Sequence, residues 1–293
     1  MRPVPVRALV RDPIRHLSVV VAVAFGCASP AAIPPARPAP VPDLPRMQNP
    51  LEAPWTMARP AGSFANTIRL SSDLVSRVDS VERRDTANAV LSVSWTRLAG
   101  GDPTRLSGLV TDYRVGGGTS EPQPLFGLLL PVPFAATSQG EAAARVEIPA
   151  SGACGLAAAT LQPLRELFVS TPDRLVVGTS WSDSSRYAVC RDSIPLAVTS
   201  VRRYRVVGAE RRSAAVVVVV DRTSSVSLVG EGVQFGEKIS LAAEGSGTMR
   251  IELDPASSTV VAAQGEAELK MTMRGRRRSQ ELRQHTRIEI TSP

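Results

Sequence analysis

The chain has 293 residues and 24 prolines; hydrophobic residues make up 43% of it and aromatic residues only 4%. A chain of this length can bury a sizeable core, in one large or two small domains. The formal net charge is +7, and residues 1–26 contribute four arginines against one aspartate. The remainder is only mildly basic, so its charge gives no case for a nucleic acid as partner.

The first 26 residues have the pattern of a secretory signal peptide. The four arginines accompany an apolar run of nine residues, Leu17 to Phe25, and small residues follow it. A run of this length is too short to remain in a bilayer as a spanning helix. The sequence therefore predicts export, with residues 1–26 as the targeting segment.

Cys27 follows this segment directly, within the sequence AFGCAS of residues 24–29. This resembles the lipobox of bacterial lipoproteins, in which a small residue precedes a cysteine that becomes the lipidated first residue. Gly26 and Cys27 match, whereas Ala24 stands where leucine is usual and Phe25 where a small residue is. The resemblance implies a lipid anchor on Cys27 and a place on a membrane in the periplasm or at the outer membrane. The alternative is an ordinary signal peptide cut nearby and a secreted protein.

The three cysteines of an exported chain leave one unpaired unless it has another fate. If Cys27 carries lipid, Cys154 and Cys190 remain as a natural disulfide pair in an oxidising compartment. Closing that loop would stabilise the fold by roughly 3–4 kcal/mol in the chain-entropy model. The alternatives are a metal site or a catalytic thiol, but the chain has no C-x-x-C, and His285 is the one histidine outside the signal peptide. We expect no metal and no cofactor.

Residues 27–62 are predicted to form a proline-rich tether. Ten prolines lie between Pro30 and Pro60. Proline lacks a backbone N–H and favours extended polyproline conformations. The segment is therefore expected to be a semi-rigid spacer that holds the protein away from a surface. A ligand for a proline-binding domain is the alternative, and a single β-rich domain is expected over residues 63–293.

The first half of that domain shows strand patterns and one helical pattern. Leu91, Val93 and Trp95 alternate with polar residues, which indicates a half-buried strand before the turn at residues 100–103. Residues 106–115 and 142–148 are predicted to form further strands. From Cys154 to Phe168 apolar residues recur at helical spacing, and because proline interrupts this run we expect a short helix or two short turns.

Residues 122–133 (PQPLFGLLLPVP) form the most apolar irregular segment. We expect its large side chains to avoid water, either packed into the core or as the lid or wall of a cavity for an apolar ligand. These candidate contacts are Leu125, Phe126, Leu128, Leu129 and Leu130.

The region from Val201 to Thr291 is predicted to be an antiparallel meander. Met249, Ile251 and Leu253 alternate with charged residues, and this strict period of two is typical of a sheet with one apolar and one polar face. Residues 214–220 (AAVVVVV) are apolar at every position, which predicts a central strand covered on both faces. Residues 238–244 and 248–254 are predicted to be two strands joined by a turn at the Gly-Ser-Gly of residues 245–247.

The order of these elements is similar to that of a family of uncharacterised bacterial envelope proteins. The similarity lies in the Ala/Leu-rich helical region, the Pro…Val-Val-Gly-x-x-Trp segment of residues 172–181, and a meander containing Gly-x-Gly and then Asp-Pro at residues 254–255. More distantly the chain resembles half-barrel lipoproteins and lipoprotein carriers, over roughly residues 64–291. The resemblance implies a mainly β (α+β) fold, a curved antiparallel sheet or half-barrel meander with one short helical region packed against it. In the carriers the concave face takes acyl chains.

A basic cluster lies at the last turn of the meander, at Arg274, Arg276, Arg277 and Arg278. One interpretation is a solvated turn whose charge prevents edge-to-edge aggregation. The other is a contact with anionic envelope material such as phosphate-bearing lipid head groups.

The inventory of catalytic groups is thin. The sequence has no G-x-S-x-G, S-x-x-K or H-E-x-x-H motif, and a single histidine outside the signal peptide offers little for a catalytic triad. We therefore expect a non-enzymatic envelope protein that acts as a structural or interaction module through contact with another protein. The alternative is a carrier or sensor of lipid or another apolar ligand in the concave face of the sheet.

Overall fold

The computed structural model describes residues 54–78, 81–100, 105–118, 120–137, 145–147, 154–191, 194–212, 215–234, 236–276 and 279–293. The predicted signal peptide, Cys27 and most of the predicted tether lie outside these residues. Within them the chain forms fourteen strands and two short helices. The strands are β1 (Trp55–Thr56), β2 (Gly62–Val78), β3 (Val81–Arg97), β4 (Arg105–Gly117), β5 (Gln123–Pro124), β6 (Val132–Thr137), β7 (Arg145–Glu147), β8 (Arg174–Leu175), β9 (Ser180–Arg191), β10 (Ile194–Arg212), β11 (Ala215–Gln234), β12 (Glu237–Asp254), β13 (Thr259–Arg274) and β14 (Ser279–Thr291). The helices are α1 (Leu156–Leu161) and α2 (Leu164–Leu167).

Twelve of the strands belong to one antiparallel sheet. Their order is β7-β6-β4-β3-β2-β14-β13-β12-β11-β10-β9, and β5 pairs with β4 beside this path. The edge strands β7 and β9 are not paired with each other in the described part of the chain, so the sheet is open. Strands β1 and β8 form a separate two-stranded ribbon. The fold is mainly β with one short helical region, as predicted.

The strands form where the side chains alternate between the buried face of the sheet, here called the inner face, and the opposite, outer face. In β12, Met249, Ile251 and Leu253 are at most 3% exposed. In β11, residues 217–220 are buried on both faces, as predicted, whereas Ala215 at the start of the strand is exposed and Val216 is half-buried.

The two glycines predicted to form a turn at residues 245–247 lie inside one continuous strand, β12, so that prediction is wrong. A Cβ on Gly245 would collide with the backbone oxygen of Glu268 on the neighbouring strand β13. Glycine is needed there because another strand approaches closely, not because the chain reverses.

The chain joins the fold before the predicted end of the tether. Trp55 and Met57 are buried in the core, and Met57 donates its backbone N–H to the Asp173 carbonyl at 2.8 Å. Ala58 donates to the Pro255 carbonyl at the same distance. Residues 54–58 are therefore docked, and they overlap the tether expected over residues 27–62.

Candidate functional site

The inner face of the sheet is filled by the segment of residues 154–171, here called the helical segment. Its two helices are separated at Pro163, which matches the expectation of two short turns. Leu161, Leu164, Leu167 and Phe168 are 0–3% exposed. These side chains occupy the place that a ligand would need in a carrier.

Aromatic contacts hold the end of the helical segment against the first half of the sheet. The Phe168 ring meets Trp95 of β3 edge-on at 5.5 Å between centroids and lies 5.8 Å from Phe134 of β6. Phe64 of β2 stacks on Trp95 at 4.4 Å between centroids. The crevice beside Phe168 has a volume of only about 10 Å³, which is room for about one water molecule and far too little for an apolar ligand.

Buried charges hold the same segment against the second half of the sheet. The Arg202 Nε of β10 donates to the Asp183 carboxylate of β9 at 2.9 Å, and the Tyr204 hydroxyl donates to its second oxygen at 2.9 Å. The Asp183 and Arg202 side chains are 1% and 5% exposed. Arg202 also donates to the carbonyl of Arg165 in α2 at 2.8 Å.

A second buried ion pair joins α2 to the sheet. Arg222 of β11 lies 2.5 Å from Glu166, with side-chain exposures of 1% and 7%. On the other side of α2, the Arg165 guanidinium lies 3.8 Å from the centre of the Tyr187 ring of β9. Three neighbouring strands, β9, β10 and β11, therefore each contact α2 through an interaction that involves a charged arginine.

The pKa shifts of Arg202, Tyr204 and Tyr187 within this cluster favour the protonated forms. Burial lowers the pKa of Arg202, but Tyr204, Asp183 and Glu166 outweigh it, and the net pKa is raised. Burial raises the pKa of Tyr204, and it raises that of Tyr187 to about 12. These arginine and tyrosine side chains keep their protons at neutral pH. None of the three is tuned for general acid–base catalysis near pH 7.

The outer face carries an open concavity of about 1230 Å³, here called the outer groove. It crosses β3, β2 and β14 to β11. Inward-facing residues beneath it, such as Leu70 and Ile288, are only 3% exposed. Its accessible lining is therefore the outward-facing set of each strand.

The outward-facing lining of the outer groove mixes both signs of charge. Arg69, Glu289, Gln264 and Arg250 lie side by side on four adjacent strands, and the Arg69–Glu289 pair is 3.8 Å apart. Arg287 lies in the next row of the lining. Between these charged groups most of the exposed lining is hydrocarbon, a mixture that is typical of surfaces which contact another protein.

A smaller depression of about 340 Å³ adjoins the outer groove and shares Glu266 with it. Here His285 lies 3.5 Å from Glu266, and its cross-strand neighbours are Asp73 and Glu268. Despite these acidic neighbours, no three His, Cys, Asp or Glu side chains in the described ranges form a group that could hold a metal ion.

The apolar loop, residues 125–130, lies beside the middle of β4. The expectation that all its large side chains avoid water is wrong, because Phe126 and Leu129 are each 89% exposed and Leu130 is 38% exposed. Leu125 and Leu128 are partly buried against the core. The physical reason is a turn through Gly127, at φ +80°, that leaves the tip outside.

The remaining candidate residues fall in separate places. The structure contains the predicted Cys154–Cys190 disulfide, which ties the start of the helical segment to β9. Arg274 and Arg276 are exposed at the last turn. The other candidates, Arg277, Arg278 and Cys27, lie outside the described residues.

Sequence reasoning missed both the buried charges and the outer groove. A signal for the charges was present in β10, where Arg202 occupies the inward register of Val198 and Val206. A charged residue at an apolar position of a strand predicts a buried partner. The outer groove left no such signal, because its lining comes from six strands and each strand shows only an ordinary polar face.

No protein-family model and no curated protein matches the chain. Among solved structures, DynF from the dynemicin biosynthesis pathway of Micromonospora chersina is similar over 86% of this chain and 92% of its own, at 11% identity and a TM-score of 0.20. OccK8 (OprE) of Pseudomonas aeruginosa is similar over 79% of this chain and 98% of its own, at 8% identity and a TM-score of 0.16. Likenesses this weak carry no argument about function. Separately, none of the helices in the described ranges has the length and apolar character needed to cross a membrane.

Proposed function

We propose that this chain is an exported, lipid-anchored and non-enzymatic interaction module of the cell envelope, and that its outer groove contacts another envelope protein. The observation that carries the proposal is that one face of the sheet is filled by the protein itself and the other is open. The inner face is filled by the helical segment, whereas an open concavity of about 1230 Å³ lies on the outer face.

The filled inner face favours this function over a carrier of apolar molecules. A carrier needs room for its guest, and binding sites for small molecules usually measure about 300–1,000 Å³. Here α2 occupies the inner face, where the Glu166–Arg222 ion pair and the hydrogen bond from Arg202 to the Arg165 carbonyl hold it. Moving the helix out would separate buried charges, which costs several kcal/mol.

The proposed contact can be tested by site-specific photo-crosslinking in intact cells. A photoreactive amino acid replaces Arg287, which is exposed in the outer groove. The control position is Arg186, an exposed outward residue of β9 outside the groove lining. We expect a discrete adduct of higher mass from position 287 and none from position 186. No adduct from position 287, or the same adducts from both positions, would contradict the groove as the contact surface.

Two further measurements separate the parts of the proposal. Radiolabelled fatty acid should enter the wild type and a Cys154→Ser/Cys190→Ser variant, but not Cys27→Ser. Equal labelling of the wild type and Cys27→Ser would show that Cys27 is not the anchor. Native mass spectrometry of the purified protein should show the mass of the lipidated chain alone, and a copurified apolar molecule at one per chain would favour the carrier.

A further inference from the structure

The tip of the apolar loop exposes hydrocarbon in an uncharged stretch of chain. Phe126 and Leu129 are each 89% exposed. The 13 residues from Pro122 to Phe134 contain no Asp, Glu, Lys or Arg. Scattered single apolar residues are normal on protein surfaces, but a contiguous exposed set marks an interaction site.

The base of this loop is attached to the fold. Leu125 donates its backbone N–H to the Tyr113 carbonyl of β4 at 3.1 Å, and Leu128 donates to the Leu125 carbonyl at 3.3 Å. The side chains of Leu125 and Leu128 are partly buried against the core. The base of the loop is therefore fixed to the fold, while the side chains of Phe126 and Leu129 at its tip make no contribution to the core.

The backbone of the loop suits a lipid environment. In a bilayer, each N–H that loses water without gaining a partner costs several kcal/mol, so a segment with few free donors enters more easily. Prolines at positions 122, 124, 131 and 133 have no N–H to satisfy. The N–H groups of Leu125 and Leu128 are already bonded, whereas those of Phe126, Gly127, Leu129 and Leu130 have no partner among the described residues, so the tip suits the hydrated boundary of a bilayer and not its hydrocarbon centre. A fluid bilayer also accepts a convex tip without a complementary cavity.

We propose that the apolar loop inserts Phe126 and Leu129 into the boundary between head groups and acyl chains of a lipid bilayer. This inference rests on the proposed function, because the lipid anchor on Cys27 would bring the domain to a membrane. Cys27 lies 27 positions before Pro54. An anchor that far from the domain along the chain does not fix which side of the domain faces the bilayer, whereas an inserted loop does.

The experiment measures the depth of the loop with a local probe. Full-length chains carrying Cys27→Ser and Leu129→Cys are labelled with an environment-sensitive NBD fluorophore and mixed with phosphatidylcholine vesicles. We expect a blue shift and a several-fold rise in NBD emission, quenching by doxyl-labelled lipid, and protection from aqueous cobalt. The matched control carries Val229→Cys, an apolar position of β11 that is 59% exposed on the outer face, and its label should stay in water.

A second variant tests the contribution of the aromatic tip. Adding Phe126→Ser to the Leu129-labelled chain should weaken vesicle binding at least about tenfold, because burying a phenylalanine ring is among the largest single apolar contributions. In the Val229-labelled chain, adding Phe126→Ser should not change the NBD emission in the presence of vesicles.

Three outcomes would overturn the proposal. The label at position 129 stays accessible to cobalt; the labels at positions 129 and 229 respond alike, which indicates adsorption without orientation; or the label is shielded without vesicles in a concentration-dependent way, which indicates self-association through the loop. Because every chain lacks the Cys27 thiol, these results are independent of whether Cys27 is lipidated, and fatty-acid labelling tests that point separately.

Discussion

Asp183→Ala should be among the most destabilising substitutions in the fold. Asp183 is 1% exposed and accepts hydrogen bonds from Arg202 and Tyr204, both at 2.9 Å. Removing one partner of a buried ion pair costs about 3–5 kcal/mol because the other charge remains buried. The Tyr204 hydroxyl also loses its acceptor, which adds about 1 kcal/mol. We expect a loss of about 4–6 kcal/mol, a large share of the roughly 5–15 kcal/mol that stabilises a typical protein.

The loss can be measured by urea unfolding followed by tryptophan fluorescence, because Trp181 stacks on Tyr204 at 4.9 Å. Asp183→Asn keeps one acceptor oxygen and should fall between the wild type and Asp183→Ala, which preserves the test if the alanine variant does not fold. The control is Glu82→Ala, since Glu82 is 51% exposed in its pair with Arg84 and should cost about 1 kcal/mol or less. If Asp183→Ala costs no more than Glu82→Ala, the reasoning from buried charge is refuted.

Three further predictions concern other parts of the fold. Burial raises the pKa of Tyr113 from its ordinary value to about 12; the folded protein therefore keeps a proton that the unfolded chain releases, and stability should fall as the pH rises from about 10 to about 12. The free energy of unfolding, measured with urea at both pH values, should therefore fall less in Tyr113→Phe than in the wild type, by on the order of 2 kcal/mol. Cys154→Ser/Cys190→Ser opens a loop with a sequence separation of 36 and should cost about 4 kcal/mol in the chain-entropy model; an unchanged urea midpoint would contradict this. Gly245→Ala places a Cβ against the Glu268 backbone oxygen and should lower the melting temperature in a calorimetric scan, and an unchanged value would show that β13 can move aside.

The sequence pattern predicts those parts of the fold that depend on neighbours along the chain. The alternation at Met249, Ile251 and Leu253 arises because one face of the strand meets the core and the other meets water. The sequence alone therefore identifies the buried and the exposed positions. The break at Pro163 follows from the covalent structure of proline. These features need no knowledge of which strands pair.

The features that the sequence did not predict depend on pairing between distant residues. Gly245 has the appearance of a turn residue until the position of Glu268 on β13 is known. Glu166 and Arg222 are 56 positions apart, and only the docking of α2 against β11 makes them an ion pair. The outer groove requires six strands in register, and within its own strand each lining residue follows the ordinary alternation of a polar face.

The pairing of β2 with β14 has a consequence for the order of folding. This ladder lies in the middle of the sheet, yet it joins residues more than 200 positions apart, as in the 2.9 Å hydrogen bond between the hydroxyls of Ser72 and Thr286. During synthesis β2 cannot pair with β14 until almost the whole chain has been made. Closing so long a loop is slow. In that interval β2 and β13 each present an unpaired edge. We expect folding to be slow and late, with both edges open to aggregation until the two halves of the sheet meet.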